Sequence, residues 1–361
     1  MKKFFNIRMF VVTALMLLFT ASWANETSDE LQFSSGTLVP GETKTQYVNL
    51  TLLGSRLYSG CNLQISIPKG VELAYEDDEL DLQKGEILRN SHTVAGEYDT
   101  NTRMLRVICS SSSNAEFRET FGVVCKIGVV VSTYAKPGAL SLALSGQALT
   151  TAAMVEYDPA NVTDENVTIG TTAKASLSVS YTNKWSTCIL PFATALPDGL
   201  KAYTCSSKDD EKGVFYLTNA SSIEAYTPYI LYSESGYTGT LTGEVNASQY
   251  PEDGKVAQGY LTGAIEKQTT NEGYVLQNKG DGVKFYLMDS GQSYTIPAGK
   301  CWATPPTSTA QSFSFEFPTA VNGIVEVAES KNESKYNLSG IMIDAPKSGQ
   351  LYIQNGKKYV K

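Results

Sequence analysis

The sequence predicts an all-β protein, and three observations carry that prediction. Apolar residues recur at every second position, as in Leu63, Ile65 and Ile67 or Leu140, Leu142 and Leu144, which turns one face of an extended chain inward and the other outward. Turns bearing Pro and Gly, such as Val39-Pro40-Gly41 and Pro68-Lys69-Gly70, punctuate these stretches. Tyr is abundant at 21 residues while charged residues reach only 18%, a balance that suits half-buried strands better than solvated helices. The expected architecture is an N-terminal β-sandwich, a second β-sandwich or barrel-like module, and a short C-terminal β-meander.

Residues 1–24 read as a cleaved secretory signal. Lys2, Lys3 and Arg8 precede the apolar run Met9 to Ala21, and Ser22-Trp23-Ala24 places small residues where a signal peptidase reads. The run is too short to span a bilayer, and no other stretch approaches the ~20 apolar residues that spanning requires. Cleavage removes three positive charges and no acidic ones, moving the net charge from -8 to -11. An acidic chain without a Lys/Arg cluster argues against nucleic acid as a partner.

Residues 25–151 form the first expected domain. Strands are predicted around Gln46 to Leu52, Asn62 to Ile67, Arg103 to Cys109, Phe121 to Ser132 and Ala139 to Ser145. The order of Leu38-Val39-Pro40-Gly41-Glu42-Thr43, Leu63-Gln64-Ile65-Ser66-Ile67-Pro68-Lys69-Gly70-Val71, the run from Val107 to Phe117 and Ala135-Lys136-Pro137-Gly138-Ala139-Leu140 resembles the cohesin-like, immunoglobulin-type sandwich of exported Bacteroidetes and cellulosome proteins. That resemblance implies the fold. It carries over no residue for recognising a dockerin.

Residues 152–175 read as a strand and linker, and residues 176–304 as the second module. Its markers are Trp185-Ser186-Thr187-Cys188-Ile189-Leu190-Pro191-Phe192, Pro228-Tyr229-Ile230-Leu231, Tyr274-Val275-Leu276 and Ile296-Pro297-Ala298-Gly299-Lys300. Their order resembles a module that recurs in secreted Bacteroidetes surface proteins. Residues 305–335 read as a linker and a strand in which Phe313, Phe315 and Phe317 alternate.

Residues 336–361 read as a three-strand meander whose last turn is Asn355-Gly356. Tyr336, Asn337, Leu338, Ser339, Gly340, Gly349, Tyr352, Ile353, Asn355, Gly356, Lys357, Lys358 and Lys361 resemble the C-terminal sorting tail of type IX secretion in Bacteroidetes. The resemblance implies delivery to the surface by a secretion machinery. A plain meander closing a preceding domain leaves a similar pattern, so both readings stand.

The chemistry of the chain is sparse. One histidine, His92, lies in the polar segment Asn90-Ser91-His92-Thr93 and is expected in an exposed loop, which makes His-based triads and multi-His metal sites hard to assemble. Six cysteines, Cys61, Cys109, Cys125, Cys188, Cys205 and Cys301, fall three to a module without a C-x-x-C pair, so metal binding is not expected. Cys109 and Cys125 are expected to pair or to neighbour one another. Glu76-Asp77-Asp78-Glu79 with Asp81, and Asp209-Asp210-Glu211, lack the spacing of a calcium loop and read as solvated.

Aromatic residues remain. Trp185, Tyr226, Tyr229, Tyr232, Tyr237 and Trp302 are candidates for a platform that stacks on sugar rings, although such residues are more often core. The expectation is a non-enzymatic, exported binding or adhesion protein, without cofactor or metal, that meets a glycan or a surface protein. A scaffold or fibre subunit and a carboxylate-dependent glycan hydrolase are the alternatives.

Overall fold

A computed structural model describes residues 25–161, 167–317, 335–336, 342–343, 351–354 and 357–360. The chain divides into two compact units, one running to Phe315 and the other from Glu316 to Lys361. The described residues are strands, turns and a single 3-10 turn at Ala247–Gln249, with no α-helix among them.

Ten strands of the N-terminal part make one curled sheet. Its order is Val71–Leu73, Phe121–Val131, Gln46–Leu53, Asn25–Ser34, Glu156–Asn161, Ala143–Thr150, Gly60–Ser66, Met104–Ser111 and His92–Asp99, with Leu82–Lys84 also on Phe121–Val131. The only parallel ladder of this sheet, Asn25–Ser34 with Glu156–Asn161, joins two antiparallel arms. The arms fold face to face: Leu31, Leu50, Leu52 and Ile127 of one share a single core with Leu63, Ile65, Leu105, Val107 and Leu149 of the other. That is a β-sandwich.

A second ten-stranded sheet follows, in the order Trp185–Cys188, Tyr229–Tyr232, Lys201–Asp209, Val214–Ala220, Ser312–Glu316, Val283–Leu287, Tyr274–Asn278, Cys301–Ala303, Leu261–Ala264 and Lys255–Gln258. It curls until its first strand meets Cys301–Ala303. There the buried Thr187 hydroxyl donates to the Cys301 carbonyl at 3.2 Å and accepts from the Cys301 N–H at 2.9 Å. The barrel-like interior holds Tyr203, Phe215, Leu217, Ile230, Tyr274, Phe285 and Phe313. A ribbon of Thr172–Val179 and Tyr237–Glu244 contributes Ala173, Ala175, Leu177 and Val179 to a separate core with Cys188, Leu190, Phe192 and Leu231.

Two stretches do more than their sequence suggests. Within 152–175, Glu156–Asn161 belongs to the first sheet, Thr168–Ile169 pairs with Gly138–Ala139, and Thr172 already starts the ribbon. Ser312–Glu316 lies inside the second sheet, eight residues past the boundary at 304. The reason is the apolar alternation of Phe313 and Phe315, which needs a core on one side.

The two sandwiches also touch. The Lys174 N–H donates to the Pro40 carbonyl at 2.8 Å, and the Thr133 hydroxyl donates to the Lys174 carbonyl at 2.7 Å. Tyr134 reaches across, its hydroxyl donating to the Ile189 carbonyl at 3.1 Å. It lies over Gly299, where a Cβ would stand 2.1 Å from that hydroxyl and φ is +82°. Lys69 with Glu266, and Lys136 with Glu252, pair at the exposed rim.

The C-terminal unit is a four-stranded sheet in the order Met342–Ile343, Lys335–Tyr336, Leu351–Gln354 and Lys357–Val360. The expected meander has three strands; Lys335–Tyr336 is the addition, a central strand between the two expected to be neighbours. The expected signal peptide lies outside the described residues.

His92 is a correction. It opens the edge strand His92–Asp99 and is fully buried, with its ring 5.2 Å from that of Phe117. The polar neighbours Asn90 and Ser91 belong to the turn before it. The inward face of the strand runs from His92 to Val94, which packs against the core.

Candidate functional site

The rows of the second sheet decide where its aromatics point. Trp185, Tyr232 and Lys201 are opposite one another on three adjacent strands, and two residues deeper on the same face stand Thr187, Ile230 and Tyr203. Ile230 and Tyr203 line the barrel-like interior, so the first row stands at its mouth. The strand Ser312–Glu316 repeats the arrangement: Phe313 is buried and stacks on Phe215 at 4.0 Å, while Phe315, two residues on, is half-buried. Trp185 lies 4.7 Å from Tyr232 and 4.6 Å from Phe315, between centroids. The mouth is an aromatic cluster resting on an aromatic interior.

Its rim is polar. Glu234 accepts from Lys184 Nζ and from the Tyr232 hydroxyl, and Lys201 Nζ stands 5.9 Å from the Tyr232 ring centroid. The Lys184 ammonium, then the Tyr232 hydroxyl, hold Glu234 below the usual carboxylate range. The same carboxylate raises Tyr232 and Lys184 above their ordinary values. At neutral pH the rim therefore presents the Glu234 carboxylate, the Lys184 ammonium and the protonated Tyr232 phenol beside half-exposed ring faces. Such a surface hydrogen-bonds and stacks.

The structure brings two of the six sequence-nominated aromatics, Trp185 and Tyr232, into this cluster. Tyr226 and Tyr229 are buried in the core under the ribbon, with Tyr237 packed at its margin. Trp302 is buried beside Ala264, Met288 and Ile296. Tyr226 has a left-handed backbone, φ +53°, and its buried hydroxyl lacks a partner. Tyr203, Phe315, Lys201, Lys184 and Glu234 were missed by sequence reasoning. The signal for Tyr203 and Phe315 was their period-two spacing on strands; nothing local linked them to Trp185.

The acidic runs lie at hairpin turns and the strand ends beside them, except Asp81, which is buried rather than solvated. Asp77 and Asp78 sit at positive φ between the short strands Tyr75–Glu76 and Glu79–Leu80, and Asp81 accepts from the Tyr47 hydroxyl at 2.8 Å. Asp209 accepts from the Lys212 N–H at 3.0 Å in a hairpin connection, and Asp210 pairs with Lys208. No group of three or more His, Cys, Asp or Glu among the described residues could hold a metal ion.

Of the tail residues, Tyr336, Lys357 and Lys358 lie on strands, and Tyr352 and Ile353 are half-buried on Leu351–Gln354. Lys335 Nζ stands 5.9 Å from the Tyr352 ring centroid. Asn337, Leu338, Ser339, Gly340, Gly349, Asn355, Gly356 and Lys361 lie outside the described residues.

No helix among the described residues is long and apolar enough to cross a membrane. No protein-family model matches the chain, nor does any curated protein sequence. Solved structures similar to it include cohesins. A non-cellulosomal cohesin from the hyperthermophilic archaeon Archaeoglobus fulgidus is 16% identical, over 37% of this chain and 86% of that one, with a TM-score of 0.29. A type I cohesin of Clostridium thermocellum, solved in complex with a dockerin, is 11% identical over 40% of this chain and 94% of that one, with a TM-score of 0.32. The type II cohesin A11 of Bacteroides cellulosolvens is 15% identical over 40% of this chain and 98% of that one, with a TM-score of 0.31.

Proposed function

We propose that the protein is an exported, non-enzymatic binding or adhesion component that takes a glycan or a surface protein at the aromatic mouth of its second module. The observation that carries this reading is the cross-strand row of Trp185, Tyr232 and Lys201, half-open to solvent and backed by Phe315 and Tyr203. Rings held on paired strands are already ordered, so stacking a ligand on them costs little side-chain entropy. Glu234, Lys184 and Lys201 supply the directional contacts. The sole imidazole is committed to the core of the other sandwich, away from this surface. The basic and apolar N-terminal segment supports export, and the tail motif supports delivery to the surface by a secretion machinery.

The full chain is to be screened against glycan arrays and surface proteins, and any hit measured by titration calorimetry with Trp185→Ala and Tyr232→Ala. Truncating a central aromatic anchor costs roughly 2 kcal/mol or more, about 30-fold in affinity. Unchanged affinity in both folded variants overturns the assignment of the mouth.

A further inference from the structure

The buried thiols are not scattered. Cys61 on Gly60–Ser66 and Cys109 on Met104–Ser111 are direct cross-strand partners in the first sandwich. The same ladder carries Leu63 opposite Val107 and Ile65 opposite Leu105, all turned inward. Residues directly opposite in an antiparallel pair have Cα atoms roughly 4.5–5.5 Å apart, inside the 4.4–6.8 Å range that a disulfide spans. Both side chains are buried on the same face, each as a free thiol.

Cys125 is placed differently. It stands on the opposite arm of the sandwich, across from Leu50, beside an irregularity in the ladder after Val123. Facing sheets lie ~10 Å apart, beyond the ~7 Å at which two Cα atoms can still be bridged. Of the two expected relations, pairing or neighbouring, the ladder favours neighbouring for Cys109 and Cys125, which share one core, and sets Cys61 directly opposite Cys109.

We propose that Cys61 and Cys109 form a cross-strand disulfide when the chain folds in the presence of a disulfide-bearing thiol oxidant. One cysteine, as its thiolate, attacks the oxidant disulfide and expels one oxidant thiol. The other attacks the resulting mixed disulfide at the protein sulfur and expels the second. The protein loses two thiol protons and two electrons, and the oxidant disulfide becomes two thiols. The neighbouring Cys61 thiol, and then burial, push Cys109 well up in the finished fold, which suppresses its thiolate. The bond thus forms while the strands are pairing and is shielded afterwards. It locks their register, because a one-residue slip would turn the two sulfurs to opposite faces.

The test uses the full chain, denatured, reduced and refolded in a buffer of reduced and oxidised glutathione. After acid quenching, free thiols are alkylated under denaturing conditions and digests are mapped without reduction. The expected result is a bridged peptide joining Cys61 to Cys109, present also in Cys125→Ala. Full alkylation of Cys61 and Cys109, a bridge from either to Cys125, or loss of the bridge in Cys125→Ala overturns the proposal.

Discussion

His92 is the residue whose surroundings say most about conditions. Its Nδ1 accepts from the Arg89 N–H at 3.2 Å, while its buried Nε2 has no partner. Desolvation is the main cause that lowers its pKa from 6.5. The fold therefore favours the neutral ring. Above pH 6.5 both folded and unfolded chains carry it neutral and the stability is fully present. As pH falls below that value the unfolded chain takes up the proton first, and stability drains by at most about 1.4 kcal/mol per pH unit until the folded value is reached. Asp29 does not confuse this window. Burial alone would raise it, but hydrogen bonds from Tyr58 and Ser55 hold it below its ordinary 3.8, so its contribution is lost only in stronger acid. Urea midpoints measured from neutral pH down through the range just below 6.5 should fall in the wild type and stay flatter in His92→Leu. Equal slopes would show that another group sets the acid response. Local polarity misled the reading of His92, whereas its period-two relation to Val94 was the better guide.

The element that closes the second module is the strand Trp185–Cys188, tied to Lys300 and Cys301 by several bonds of which the buried Thr187 hydroxyl makes two. Thr187 takes both the N–H and the carbonyl of Cys301 at a position where two strand backbones do not ladder. In Thr187→Val the shape is kept but a buried N–H and a buried carbonyl lose their partner, at a cost of about 1–3 kcal/mol for each group left unsatisfied. Thermal melts should show a lower midpoint, and Thr187→Ser should recover most of it; if valine melts like threonine, closure comes from packing and the Lys300 and Cys301 Sγ bonds. Strand existence was readable at this scale because alternation is a local property, as in Ser176 to Tyr181 or Phe121 to Ser132. Strand neighbours were not. Trp185 and Phe315 are 130 positions apart, and only the curl of the sheet places their rings together.

At the scale of the whole molecule, the two sandwiches belong to one compact unit. Tyr134 and Gly299 make a tight fit between them, and Lys174 threads its backbone between Pro40 and Thr133. Calorimetry should show this unit melting as one transition. Gly299→Ala puts a methyl on Tyr134 and an L side chain at φ +82°, and is expected to separate the transition into two; a single unshifted peak would mean that the contact is dispensable. The residues that turn into cores were visible in the sequence as alternating runs. The docking of the two sandwiches was not, since the Tyr134 hydroxyl, Gly299, Thr133, backbone groups and a few ion pairs that make it carry no pattern along the chain. The position of Ser312–Glu316 has a temporal consequence. This strand enters the second sheet between Val214–Ala220 and Val283–Leu287, and brings Phe313 to the centre of the core. A chain that emerges N-terminus first, from a ribosome or a translocation pore, can complete the first sandwich while the second still waits for its keystone. Until residue 316 is out, strands that will later be neighbours remain unpaired edges, open to proteases and to other chains. A chain ending at Thr304 should stay in that vulnerable condition permanently, with its second module cut by limited proteolysis while the first survives.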